Sequence, residues 1–447
     1  MSADIRPAAA GAKVRVFKNR NFALLFWGIA VSNIAHVFFS FAIGFYIYEI
    51  TIPLVGESDA EIIKAVFIAL SGILIVILSP IGGVLADRWN KAKIMYVTDF
   101  IRGVTILAAG AVVFLVESNA FKLVALFVME FILSANAAIF MPASRTLLRF
   151  IVSDEELQPG ASYLQMSDNF QAIIGLLFAA GLYAKLGIGL IFLVNGVAYL
   201  LSAVSELFIR YAHKKPEAGE ILDLRTVVSD IKVGFRYLIS EKAIVAIMVM
   251  ALMINFFVSP IFSNGMQNWV YFRFAEESVY LFDSFMDRTS WYGAFSIALS
   301  VASILMSLIL SRQKTRESYA KPLKRALTIF VTAMSGLCAL IVAYYYGIVP
   351  IDAVLVGGIL LMFVCGLGLV AFNIPLSMVM QRKVRKDMLG KVSAVSGTLS
   401  QALIPVASIL AGLVIAKAGN EVFFIVSAVG MIAVMAWFLP NKASDQI

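Results

Sequence analysis

Apolar residues in this chain fall in long unbroken runs, separated by short breaks of Gly, Pro, Asn and charged residues. The runs lack the period of two that marks a half-buried strand, and most are too uniformly apolar for the one-sided stripe of a soluble helix. Each is about 20 residues or longer, the length at which an α-helix crosses the hydrocarbon of a bilayer. Reading runs against breaks predicts twelve spans. The first six cover roughly 22–50, 62–86, 94–116, 121–149, 158–184 and 189–211. The second six cover roughly 243–271, 289–311, 323–346, 353–380, 389–416 and 422–439. Between the two sets lies the longest polar connection, Tyr211 to Glu241. Within it Leu224, Val227, Val228, Ile231, Phe235 and Leu238 recur at helical spacing, predicting an amphipathic helix along the membrane surface. The expected organisation is a six-helix half over residues 1–211, a cytoplasmic linker over 212–241 and a second half over 242–447.

Composition narrows the class to all-α membrane proteins. Hydrophobic residues make up 61% and charged residues 14%, against roughly 45–50% and about 25% in a soluble domain. Continuous runs of this length exclude a barrel, whose strands alternate over about ten residues. The first run is too long for a signal h-region and is expected to be a retained span. Cys338 and Cys365 sit within apolar runs and read as small buried hydrophobes.

Basic residues set the expected orientation. Alternate connections carry Lys13, Arg15, Lys18 and Arg20, then Arg88, Lys91 and Lys93, then Arg145 and Arg149, and the pattern continues through Arg382, Lys383 and Lys386. The opposite connections carry few bases, mostly accompanied by acids such as Glu57, Asp59 and Glu61. Both termini are therefore expected in the cytoplasm of a cell (inner) membrane protein. The net charge of +8 follows from this asymmetry, so no nucleic-acid partner is implied. A repeat supports the six-plus-six division: Pro142-x-Ser144-x4-Arg149-x4-Asp154 recurs as Pro375-x-Ser377-x4-Arg382-x4-Asp387. Both copies leave an even-numbered span in the same sense, as in parallel halves related by an axis along the membrane normal.

Gly83-x-Leu85-Ala86-Asp87-Arg88-x-Asn90-Lys91-x-Lys93, placed between the second and third spans, resembles the signature loop of the major facilitator superfamily, Gly-x-Leu-Ala-Asp-Arg-x-Gly-Arg-Arg/Lys. Asn90 stands at the glycine position; asparagine tolerates the left-handed turn conformation better than most residues. Phe140-Met-Pro142-Ala143, Val152-Ser-Asp-Glu155-Glu156-Leu157 and Leu389-Gly390-Lys391-Val392 resemble the bacterial drug-efflux branch that includes macrolide and enterobactin exporters. The glycine-proline signature found in the fifth span of many drug–proton antiporters has no counterpart, because neither Gly175 nor Gly181 adjoins a proline. The resemblance implies two parallel six-helix halves that transport by alternating access. It also implies a cytoplasmic latch, in which Asp87 reaches the start of the eleventh span near Leu389 and Gly390 while Gly83 lets helices approach closely.

Buried polar residues supply the candidate chemistry. Glu130 and Asp168 each lie about ten residues into a span, near the midplane by the helical rise. A carboxyl there is costly unless protonated, paired or facing water, and suits proton exchange or attraction of a cation. Asp99 and Arg102 are spaced i, i+3 and able to pair within their helix, and Glu206 and Arg210 are spaced to form an interfacial pair. Asn33 and His36 share a helix face that can line a cavity, and Asn136, Gln171, Asn255, Asn373 and Gln401 are further mid-span amides. Phosphate-binding glycine loops, metal-spaced His/Cys clusters and a catalytic triad are absent from the sequence, so neither a cofactor nor an enzymatic activity is expected. The sequence thus predicts a monomeric, proton-coupled exporter of a small hydrophobic or amphipathic compound, in contact with protons and membrane lipids. Uptake, lipid flipping, or a non-transporting receptor or scaffold on the same frame are the alternatives.

Overall fold

The computed structural model describes residues 16–211, 232–233, 235–273, 288–311, 318–384 and 402–441. Its regular elements among these residues are all helical. The first half contains α1 (Arg20–Val55), α2 (Glu57–Arg88), α3 (Lys91–Leu115), α4 (Asn119–Ile151) and α5 (Asp154–Leu207). The second half contains α6 (Lys242–Pro260), a π-helical segment (Ile261–Met266), α7 (Gln267–Arg273), α8 (Arg288–Ser311), α9 (Ala320–Tyr345), α10 (Ile351–Lys383), α11 (Ile404–Ala418) and α12 (Asn420–Phe438). Ten helical stretches among the described residues are long and apolar enough to cross a bilayer, and α11 is apolar but shorter. Large apolar side chains such as Phe114, Leu201 and Leu360 point outward, where lipid rather than water is their natural solvent. The amphipathic linker expected over 222–239 falls mostly outside the described residues.

Local chemistry explains why the chain reverses so sharply. Gly56 alone separates α1 from α2, and Gly419 alone separates α11 from α12, at φ of 82° and 97°, values that L side chains rarely adopt. Gly187, at φ 68°, bends the long α5 and so divides it where the sequence predicts a break between the fifth and sixth spans. Side chains close several helix starts: Asn19 accepts from the amides of Asn21 and Phe22, and Ser153 with Glu156 forms a capping box.

The turn between α2 and α3 differs from expectation. Asn90 is not left-handed. It has φ −63° and ψ 114° and caps α3, its side chain accepting from the Lys93 amide at 3.0 Å. An N-cap asks for a side-chain acceptor on extended backbone, which asparagine supplies and glycine lacks. Gly82 makes a close approach of its own, to α4, while the approach expected of Gly83, to the start of the eleventh span, lies outside the described residues. A Cβ on Gly82 would collide with the Ala138 carbonyl oxygen and lie 2.9 Å from Ile139 Cα in α4, whereas one on Gly83 would meet nothing within 4 Å among the described residues. One residue turns a helix by about 100°, so Gly82 and Gly83 present different faces. Gly82→Leu is therefore expected to abolish folded, monodisperse protein in detergent, and Gly83→Ala to leave it unchanged, as size-exclusion chromatography will show.

Among the described residues the two sets of helices meet chiefly where α2 packs along α11 and α5 along α8. Pro260 contributes no amide hydrogen, so the helix that begins as α6 continues through a π turn before α7. That turn aims Asn264 at the first half.

Candidate functional site

A cavity of about 580 Å³ opens among α1 to α5. From α1 come Asn33, His36 and Ser40, each one turn or so from the next, as the shared-face reading predicts. From α2 comes Ser71, from α3 Arg102, from α4 Glu130 and Ser134, and from α5 Tyr199. Phe39, Ile43, Phe67, Leu133 and Phe140 complete an otherwise apolar wall, and Ile404 of α11 reaches in from the second half. Ser134 Oγ donates to Glu130 Oε1 at 2.9 Å, and Ser71 also hydrogen-bonds this carboxyl. His36 Nε2 lies 3.3 Å from Ser40 Oγ, with its ring edge-on to Tyr199. Arg102 pairs with Asp99 at 3.1 Å, the i, i+3 contact expected from the sequence. Its guanidinium is also stacked between Phe140 and Tyr199, at 4.7 and 5.5 Å from the ring centres. Both contacts hold the charge at the cavity wall.

The structure therefore brings Asn33, His36, Arg102 and Glu130 together, with Asp99 immediately behind them. The other amides lie elsewhere. Asn136 donates to the Ile132 carbonyl of its own helix, Gln171 bonds Ser167 one turn away, Asn255 is half-buried outside the cavity, and Asn373 is exposed. In helices that are apolar on every side, no polar stripe tells which face looks inward. Gly390 and Gln401 lie outside the described residues, and the side chains of Asp87, Arg88 and Asp168 are likewise not described. Lys91 is buried with its ammonium over the Phe150 ring, and Lys93 is exposed. Glu206 and Arg210 do not form the expected pair: Arg210 is exposed at the helix end, while Glu206 is fully buried against α1 and α3.

The end of the bundle where α2 begins is closed by a polar network that sequence reasoning missed. Glu61 and Lys64 are 1% and 0% exposed. The Glu61 carboxylate accepts from the Tyr48 hydroxyl of α1, from Asn268 Nδ2 at 3.0 Å and from Asn264 Nδ2 at 3.4 Å. Lys64 Nζ donates to the Tyr48 hydroxyl at 2.9 Å and sits 4.3 Å from the centre of that ring. Ser408 of α11 donates to Asn264 Oδ1 at 3.0 Å, and Ser58 of α2 donates to the Ala416 carbonyl at 2.9 Å. Two residues of the first half's α2 are thus bonded to three segments of the second. The two buried charges are linked through the Tyr48 hydroxyl, which accepts from Lys64 and donates to Glu61, and the carboxylate takes two further amide hydrogen bonds. The only sequence signal was the i, i+3 spacing of Glu61 and Lys64, which the nearby Glu57 and Asp59 disguise as part of a solvated loop.

Similarity to known proteins agrees with this architecture. A family model described as the Major Facilitator Superfamily matches residues 100–408. Macrolide efflux protein A of Streptococcus pyogenes is 23% identical over 432 residues, which cover 93% of this chain and 96% of that protein. The MFS-type transporter YfiS of Bacillus subtilis (strain 168) is 26% identical over 164 residues, and the match spans only 37% of either protein. A crystal structure of a POT family transporter in complex with 5-aminolevulinic acid superposes with a TM-score of 0.70 over 94% of this chain and 96% of that one. At 15% identity that likeness speaks to the fold. The family match over most of the chain, on an all-helical fold, carries one assignment: this protein belongs to the Major Facilitator Superfamily, a family of transporters and not of enzymes.

Proposed function

We propose that this chain is a proton-coupled exporter of a small hydrophobic or amphipathic compound, acting as a monomer in the cell membrane. Its twelve spans form two parallel halves over residues 1–211 and 242–447, with a cytoplasmic linker over 212–241 and both termini cytoplasmic. The observation that carries this reading is the cavity itself. A volume of about 580 Å³ lies within the roughly 300–1,000 Å³ of small-molecule sites, and such sites combine apolar walls with a few placed polar groups. Asp99 neutralises Arg102, which leaves Glu130 as the cavity-lining carboxylate without a cationic partner among the described residues. A carboxylate costs about 3 kcal/mol at the centre of a membrane helix, a cost without benefit in a passive scaffold. Protonated, Glu130 sits comfortably in the cavity; ionised, it attracts a cationic group of the substrate. Alternation between these two states is the proposed coupling. The similarity to a protein named for macrolide efflux favours export of bulky amphipathic compounds.

The orientation drawn from basic residues puts the Glu61 network on the external side and the cavity towards the cytoplasm. The resting state is then inward-facing with its external end latched. Asp87, with Arg88, Lys91, Lys93 and Gly390 around it, forms the opposing cytoplasmic latch in the outward-facing state, and Asp168 is a second candidate for carrying a proton. Purified protein in sealed vesicles with an imposed pH gradient tests the reading. Gradient-dependent movement of a macrolide or a lipophilic cation supports it. Gradient-independent behaviour across such a panel overturns it.

A further inference from the structure

Behind the cavity wall, three ionisable side chains meet out of reach of water. Asp99 and Glu206 are both 0% exposed, and Arg102 is 7% exposed. Arg102 gives one hydrogen bond to Asp99 Oδ1. The Ser202 hydroxyl lies against the Asp99 carboxylate, and among the described residues both carboxyl oxygens of Glu206 have no hydrogen-bond partner. Glu206 nevertheless lies within electrostatic reach of Asp99 and Arg102. Among the described residues, these two from α3 are the charged groups that face it. The surface of α1 packed against it is Gly28, its own helix adds Ser202 one turn away, and Arg210 is exposed at the helix end.

Two carboxylates and one guanidinium leave one negative charge over; Asp99 takes the Arg102 hydrogen bond and faces Ser202, while Glu206 is buried with no hydrogen-bond donor among the described residues. Removing an ion from water without pairing it is far costlier than holding the group neutral. We propose that Glu206 carries a proton in this resting state, and that Glu206, Asp99 and Arg102 form a proton-holding site beside the substrate cavity. With the proton bound, the cluster comprises Arg102⁺, Asp99⁻ and neutral Glu206. Its loss to water leaves Glu206 as a carboxylate and the cluster at one net negative charge, free to share the Arg102 guanidinium with Asp99. Because Arg102 also forms part of the cavity wall between Phe140 and Tyr199, a cationic substrate there favours the deprotonated cluster. The site thus gives the proposed exporter a second place for its proton, distinct from Glu130. The coupling role rests on the transport reading; the protonation state does not.

Infrared difference spectroscopy of the purified protein in nanodiscs, at neutral pH, reads the protonation state directly. A protonated buried carboxyl gives a carbonyl band that shifts in D₂O. The band assigned to Glu206 is expected in the wild type, lost in Glu206→Gln and retained in Glu130→Gln. It is also expected to be lost in Asp99→Asn, because Arg102 then has Glu206 as its sole acidic partner and ionises it. A wild type without such a band, or one unchanged in Glu206→Gln, overturns the proposal. A band that survives Asp99→Asn overturns the shared guanidinium. In vesicles, Glu206→Gln is expected to lose pH-gradient-driven movement of a macrolide while keeping macrolide–macrolide exchange. Equal loss of both removes the coupling role. A wild type that moves no macrolide defeats the transport reading and leaves the infrared result standing.

Discussion

Replacing Glu130 by Gln is expected to abolish transport driven by a pH gradient while leaving the folded protein and its cavity intact. Glutamine keeps the shape of glutamate and can still accept from Ser134 and Ser71, the two side chains that hold this carboxyl. It cannot ionise. If Glu130 alternates between a neutral and a charged form during the cycle, the variant is fixed in the neutral one. Removing an ionic contact of this kind weakens binding of a lipophilic cation by about tenfold or more, since a charge-assisted bond is worth roughly 1.5–3 kcal/mol. Binding of an uncharged amphiphile should change little. The comparison separates a coupling role from a structural one. A structural acid would lose stability on substitution and leave gradient dependence intact in whatever protein remained. Tryptophan fluorescence titration with charged and neutral ligands, alongside the vesicle assay, reads both quantities.

The second large effect concerns the closed end. Glu61→Leu leaves Lys64 buried and deprives Asn264, Asn268 and Tyr48 of their common acceptor. Breaking one side of a buried pair typically costs about 3–5 kcal/mol, whereas replacing both partners with apolar residues is often neutral or stabilising. Glu61→Leu should therefore melt well below the wild type, and Glu61→Leu with Lys64→Leu should recover much of the difference. The double variant should not recover function. Its α2 no longer bonds to the π turn after α6, so the end of the bundle where α2 begins loses the hydrogen bonds that Glu61 makes across it, although Ser58 still donates to the Ala416 carbonyl. A melting series by intrinsic fluorescence in detergent tests the stability half of this expectation. Equal destabilisation by the single and double variants would show that the pair contributes through packing instead of charge.

Much of the architecture is legible in the sequence because a bilayer leaves the chain few choices. With no water to satisfy backbone groups, an apolar run of sufficient length must be a helix, and Gly56, Gly187 and Gly419 then mark reversals or bends that only glycine makes easily. The cavity is legible where two polar residues share a helix face by spacing alone, as Asn33 and His36 do. It is not legible where one amide stands in a helix that is apolar all round. Asn136 bonds its own backbone and Asn373 faces outward, and neither orientation leaves a trace in the sequence. Glu61 was hidden for a different reason. Its neighbours Glu57 and Asp59 are exposed loop-end acids, and its partners Asn264 and Asn268 lie more than two hundred residues away, brought back by the packing of α11 on α2 and by a π turn. The sequence points Glu206 to the surface because Arg210 at i+4 offers a ready pair. Packing of α5 against α1 and α3 turns the acid inward instead.

The central claim is that the cavity communicates with one side of the membrane at a time, and that the Glu61 network holds the external side shut. Ala137 lines the cavity without contributing a polar group, and both native cysteines, Cys338 and Cys365, are buried, so a single reporter at Ala137→Cys can be read against little background. Labelling with a membrane-impermeant thiol reagent, applied separately to each face of oriented vesicles, tests the claim directly. The account predicts modification from the cytoplasmic face alone in the resting protein, and from the external face once Glu61 and Lys64 are both replaced by Leu. Modification of the resting protein from the external face, or from both faces at once, would contradict it.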